Sequence, residues 1–139
     1  MKKYIILALC ALLYCPLAAG AENIIVIANK DVTMTSMARS DLQNIFLGKT
    51  VTWPDGKKIK LVVLKEGSTH ERFLNDLLEK RIPQFDTHWK QVIFTGKGRP
   101  PKMVDSEEDV VQYVSVTDGA VGYIDSGTDH ADVKTIEVK

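Results

Sequence analysis

The chain has 139 residues, balances 18 Lys and Arg against 18 Asp and Glu, and carries two cysteines. A net charge near zero argues against a nucleic-acid binder, which needs a clustered basic excess to neutralise phosphates. Both cysteines, Cys10 and Cys15, fall within the first 21 residues. If that segment is removed, disulfides, thiolate catalysis and cysteine-ligated metal are excluded from the rest.

The first 21 residues read as a secretory signal. Lys2 and Lys3 form a positive start, Tyr4 to Leu13 an apolar run, and Ala19-Gly20-Ala21 a small-residue cleavage pattern. The apolar run is shorter than the ~20 residues that a bilayer span requires. The expected division is therefore a signal peptide over 1–21, cleaved near Ala21, and a single exported domain over 22–139, a length that can enclose its own core. A retained N-terminal anchor is the alternative.

In chain order, Asn23 to Ala28 is short, apolar and β-branched, the pattern of a buried strand. Ser40-Asp41-Leu42-Gln43 has the S-x-x-Q form of a capping box, and Leu42, Ile45 and Phe46 follow at helical spacing up to Gly48. Thr50 to Trp53 and Lys58 to Leu64 read as strands around a Pro54-Asp55-Gly56 turn. A helix is expected over 69–80. Pro83 breaks the chain, and a further helix carries Phe85, Trp89, Val92 and Ile93 to Gly96.

The segment Lys97 to Lys102 reads as an extended basic loop. Ser106 caps a helix bearing Val110, Val111 and Val114, Asp118-Gly119 is a turn, and strands over 120–124 and 133–138 close the chain. Strands separated by helices define a layered α/β domain with a mixed, mostly parallel sheet flanked by helices.

Two stretches carry a resemblance. Ser40 to Lys49 with Trp53, and Thr117-Asp118-Gly119-Ala120-Val121-Gly122-Tyr123-Ile124, resemble the periplasmic phosphate-binding proteins of ABC transporters, within the type II periplasmic binding protein superfamily. The likeness runs through the strand Ile59 to Leu64 and Gly67-Ser68-Thr69 followed by Phe73, and covers nearly all of 22–139. It implies one lobe of a fold whose full-length members clasp an anion between two. It further implies a small oxyanion, phosphate foremost, as ligand, and an ABC transporter or another envelope protein as partner. A second copy of the chain could supply the missing lobe, as a homodimer. No cofactor is implied.

The candidate ligand contacts are Lys65, Gly67, Ser68 and Thr69, with Arg99 from the basic loop. A helix N-terminus offers unpaired N–H groups and partial positive charge. Gly67 permits close approach, two hydroxyls follow, and Lys65 adds a full charge at the end of a strand. A second reading competes: Ser68-Thr69-His70-Glu71 is S-x-x-E, a capping box that would consume the same donors. Arg99 could complete the pocket through its bidentate fork or sit on a solvated loop.

Asp125, Asp129, His130 and Asp132 lack the pattern of a calcium loop and read as a polar connection. His88 reads as a helix-surface histidine, and Trp53 and Trp89 as packing residues. No nucleophile, base and oxyanion stabiliser assemble, so the expectation is a binding domain and not an enzyme. The alternative is a ligand-free interaction or accessory module of a cell-envelope system.

Overall fold

The computed structural model describes residues 23–139, so the expected signal segment, its cleavage near Ala21 and the two cysteines lie outside the described residues. The chain runs β1 (Ile24–Ala28), β2 (Ser36–Met37), α1 (Arg39–Phe46), β3 (Lys60–Leu64), α2 (Ser68–Phe73), α3 (Ile82–Phe94), β4 (Lys102–Val104), α4 (Glu107–Val116), β5 (Ala120–Asp125) and β6 (Lys134–Val138). Among the described residues six strands form one mixed sheet in the order β2-β6-β1-β5-β3-β4. The β1 strand pairs antiparallel with β5 and β6, while β2 with β6, β3 with β4 and β3 with β5 are parallel.

Helices cover both faces of the sheet. Successive residues of a strand point to opposite sides. A Cβ built on Gly122 would lie 2.7 Å from Val62 and 2.8 Å from Val110, so this side of β5 faces α4. The neighbouring Tyr123 stacks on Phe73 of α2 on the other side, with ring centroids 3.8 Å apart. Coverage on both sides explains why β1 and β5 are nearly continuous apolar runs without alternation. Phe46 meets Phe73 edge-on at 4.8 Å, so α1, α2 and β5 share one aromatic core.

Several local expectations are corrected. The α1 helix begins at Arg39 with Ala38 as its cap, and the Ser40–Gln43 box does not form. The Arg39 N–H is fixed by the Lys139 carbonyl at 3.0 Å, and Gln43 Nε2 donates instead to the Leu77 carbonyl at 3.1 Å. That carbonyl belongs to the wider π-helical turns, Leu74–Leu78, into which α2 continues. Pro83 lies in the first turn of α3, where its missing N–H costs nothing, so the helix starts earlier than expected.

The strand expected over Thr50–Trp53 reduces to a single Thr52–Lys58 bridge. Trp53 is instead drawn into the core, its indole N–H donating to the Gly119 carbonyl at 2.9 Å. The sequence reading missed β2 and β4, which have two and three residues, too short to show a period. Ser106 caps α4 as expected, its Oγ accepting from the Asp109 N–H at 3.1 Å.

Candidate functional site

The junction between β3 and α2 is where the sequence placed its ligand contacts. Gly67 is the helix cap, at φ 107° and ψ 170°, and no side chain caps the helix. An added Cβ there would meet nothing within 4 Å, so the glycine is needed for its backbone angle and not for space. The competing S-x-x-E capping box at Ser68 is absent. Ser68 already lies inside the helix, and the Glu71 N–H donates to the Gly67 carbonyl at 3.0 Å. That bond is the first of the α2 ladder. The N–H groups of Ser68, Thr69 and His70 precede it, as the first amides of any helix do.

The side chains around these amides are mostly engaged. Lys65 Nζ pairs with Asp105 at 3.0 Å, in an exposed contact just past the ends of β3 and β4. Thr69 is buried, and its Oγ1 donates to Glu107 Oε2 at 3.2 Å. Glu107 Oε1 also accepts from the Asp125 N–H and from Thr128 Oγ1, so one carboxylate ties together α2, β5 and the loop after β5. Gly67 and Ser68 are exposed.

Arg99 is not brought to this junction. Because β3 and β4 run parallel with Val62 opposite Lys102, residues preceding Lys102 lie toward the start of β3. Arg99 lines a groove there with Lys58 and Lys60, while Lys65 to Thr69 follow the opposite end of the strand. The five residues of β3 separate the two ends by about 13 Å.

Beneath the junction lies a buried polar relay that the sequence reading missed. Tyr123, fully buried, accepts the Leu64 N–H on its hydroxyl at 3.0 Å and hydrogen-bonds His70 Nδ1. The β5 strand pairs with β3 only at Lys60 and Leu61, so the Tyr123 hydroxyl takes over at the Leu64 N–H, where the ladder has parted. Burial pushes the His70 imidazole below its ordinary value, with Asp86 opposing in part. Burial likewise pushes the Tyr123 phenol up, so both groups are neutral. The phenol then donates to Nδ1 while accepting from Leu64. The signal for this lay in the quoted motif, whose tyrosine is the sole polar group of an otherwise apolar strand core.

The remaining candidates serve the fold. Asp125 takes Arg72 at 3.4 Å and the Gly127 N–H at 2.9 Å, while Asp129 takes the Ala131 N–H at 3.1 Å. His88 Nε2 bonds the Leu47 carbonyl at 2.7 Å, and the Trp89 indole N–H donates to Phe46. Among the described residues no group of three or more acidic, histidine or cysteine side chains is placed to hold a metal ion. Nor is any helix among them long and apolar enough to cross a membrane.

The profile of the PBP superfamily domain matches residues 15–137. The chain belongs to this family. Comparison with curated proteins returns no match. Among solved structures, PstS from Borrelia burgdorferi superposes with a TM-score of 0.67 at 17% identity, over 85% of this chain and 47% of its own. An ABC-type phosphate transport receptor from Vibrio cholerae gives 0.59 at 19% identity, over 84% and 46%. A phosphate-binding protein from Stenotrophomonas maltophilia gives 0.61 at 17%, over 85% and 39%. This member of the PBP superfamily thus spans less than half the length of those structures, and the likeness is one of fold.

Its recognisable motifs are accounted for by packing. Gly119 sits at φ 73°, and a Cβ there would lie 2.2 Å from the Lys58 carbonyl oxygen. Trp53 bonds the Gly119 carbonyl, and Tyr123 anchors the end of β3.

Proposed function

We propose that residues 22–139 form an exported, non-enzymatic binding domain for phosphate or a similar small oxyanion, with Lys65, Gly67, Ser68 and Thr69 as contacts. One observation carries the reading: the capping box that would have consumed the α2 amides does not form, and the first intrahelical bond begins only at the Glu71 N–H. Amides at a helix start, with a lysine and two hydroxyls beside them, suit an oxyanion. The structural likeness to phosphate-binding proteins supports the same ligand.

The two acids at the junction set the terms of binding. An incoming anion must draw Lys65 from Asp105 and share Thr69 with Glu107. The first contact is exposed and contributes about 1 kcal/mol or less. Glu107 repels a fully ionised ligand and accepts a hydrogen bond from one that retains a proton. This favours hydrogen phosphate over sulfate.

Charge-assisted hydrogen bonds contribute about 1.5–3 kcal/mol each when shielded, and association costs several kcal/mol of lost freedom. A single open lobe therefore reaches millimolar affinity, about −4 kcal/mol. Tighter binding requires a second lobe, from a partner such as an ABC transporter component or from a second copy.

Isothermal titration of the domain with phosphate and with sulfate tests the reading. Expected is weak phosphate binding, lost in a Ser68→Ala/Thr69→Ala double variant. Absence of heat at millimolar phosphate, or binding unchanged in that variant, overturns it. The engagement of Lys65 and Thr69 by Asp105 and Glu107 favours a second reading, a ligand-free interaction module. A stable envelope-protein partner captured equally with and without phosphate would support that one instead.

A further inference from the structure

At the start of β3 and β4, remote from the Gly67 junction, a groove of roughly 800 Å³ opens at the edge of the sheet. Ile45, Leu61, Trp89, Met103 and Tyr113 contribute its apolar wall. Lys58, Lys60, Arg99 and Lys102 add four exposed cations, and no acidic residue lines it. Among the described residues the ion pairs are Arg39–Glu79, Lys57–Asp31, Lys65–Asp105 and Arg72–Asp125, so none of these four cations has a carboxylate partner. A cavity of this size is in the range of ligand sites, and an apolar floor ringed by one sign of charge calls for a ligand of the opposite sign with an apolar side.

Two features choose among such ligands. The cations are spread over two neighbouring strands and the turns before them, which suits charges distributed along a chain better than a single headgroup. In addition, β4 ends the sheet. Val104 turns its carbonyl toward β3, where it accepts from the Lys65 N–H at 3.0 Å. Backbone groups alternate sides along a strand, so the Met103 N–H and carbonyl face outward at an open edge. Met103 is 51% exposed there. Pro100 and Pro101 cannot donate to an added strand, so pairing is confined to a short register beside the groove.

The geometry points to this groove as a docking site for an extended acidic–apolar peptide segment of a partner protein. The segment pairs with Met103 on the β4 edge, sets its apolar side chains beside Met103 and Leu61 on one face of the sheet, and turns its carboxylates toward Lys60 and Lys102 on the other, with Lys58 and Arg99 at the end of the groove. Strand addition of this kind draws affinity from main-chain bonds and selectivity from the alternate side chains. The site is independent of the oxyanion reading, since no residue is shared.

The test is fluorescence anisotropy of the domain with a dye-labelled synthetic peptide alternating glutamate and leucine. Controls are the same peptide with lysine for glutamate, one N-methylated at alternate backbone nitrogens, and sodium laurate as a single-headed apolar anion. Expected is saturable binding of the glutamate peptide that weakens with salt. It should fall about tenfold in an Arg99→Glu/Lys102→Glu variant, whose exposed positions leave the circular dichroism unchanged. N-methylation should weaken it to a similar degree, and saturating phosphate should weaken it no more than sodium chloride at the same ionic strength. Failure of the glutamate peptide to bind, equal binding of the lysine peptide, displacement by laurate at equal concentration, or indifference to the double charge reversal overturns the proposal.

Discussion

Replacing Tyr123 with Phe removes one oxygen from the core and tests whether the relay beneath the β3–α2 junction holds that junction in place. The ring stays stacked on Phe73 at 3.8 Å, so the loss is confined to two hydrogen bonds, one from the Leu64 N–H and one to His70 Nδ1. Leu64 is buried, and leaving its N–H without a partner costs about 1–3 kcal/mol. The neutral His70 nitrogen adds a smaller loss, and the phenylalanine recovers part of it by needing no desolvation. The net expectation is about 2 kcal/mol, a substantial share of the 5–15 kcal/mol typical of a domain. At a urea dependence of about 1–3 kcal/mol per molar, the unfolding midpoint should fall by roughly 1 M with an unchanged slope. Amide exchange at Leu64 should accelerate while that at Val26, in the central strand, changes only as far as global stability does. A midpoint within about 0.3 M of the parent, with Leu64 exchange unaltered, would refute the idea that the hydroxyl substitutes for a missing strand bond.

The other predictions concern neighbours of that relay. His70 is held neutral by burial, so its folded pKa lies below the unfolded value near 6.5. Its contribution is complete above pH 6.5 and declines as pH falls toward the folded value; in His70→Gln this part of the difference between midpoints at pH 7.5 and pH 5 should disappear. Glu107→Gln removes the charge that accepts from Thr69, Asp125 and Thr128, and should cost about 1–2 kcal/mol in urea unfolding. On the proposed function, the same variant should narrow the preference for phosphate over sulfate in paired titrations. Gly119→Ala meets both a positive φ and a 2.2 Å contact, and should cost more than about 2 kcal/mol. Gly67→Ala meets the positive φ alone, in a region of the backbone map essentially reserved for glycine, and should cost about 1–3 kcal/mol while disturbing the amides at the start of α2.

The long or patterned elements were legible in the sequence, because β-branched runs and helical spacing reflect burial directly. Ile24–Ala28, the valine face of α4 and its Ser106 cap all appear where the residues imply. Capping boxes read less well. Ser40–Gln43 and Ser68–Glu71 have the right letters, yet a bond from Arg39 to Lys139 fixes one helix start and the backbone angle at Gly67 the other. Local pattern lost in both cases to a constraint the pattern does not contain. Which of the candidate residues lie together was half legible for the same reason. Lys65 to Thr69 are contiguous and remain together, whereas Arg99 depends on the direction in which β4 runs. That direction became visible only once β4, three residues long, was seen to pair parallel with β3.

The placement of Asp105 and Glu107 follows from that same short strand. Parallel pairing of β4 brings its end beside the end of β3, so Asp105 meets Lys65, and Ser106 then starts α4 with Glu107 in its first turn. Acids in a first turn are favoured by the helix dipole, so Glu107 needs no ligand to account for its presence. Its three hydrogen bonds tie α2 to β5 and make the junction a fixed feature of the lobe, one that does not wait for an anion to organise it. A site already organised loses little conformational entropy on binding, but its donors are already shared. On the proposed function, the ligand must therefore offer an acceptor to the amides of α2 and a proton to Glu107 together. A singly protonated tetrahedral oxyanion meets both demands, and a fully ionised one meets only the first.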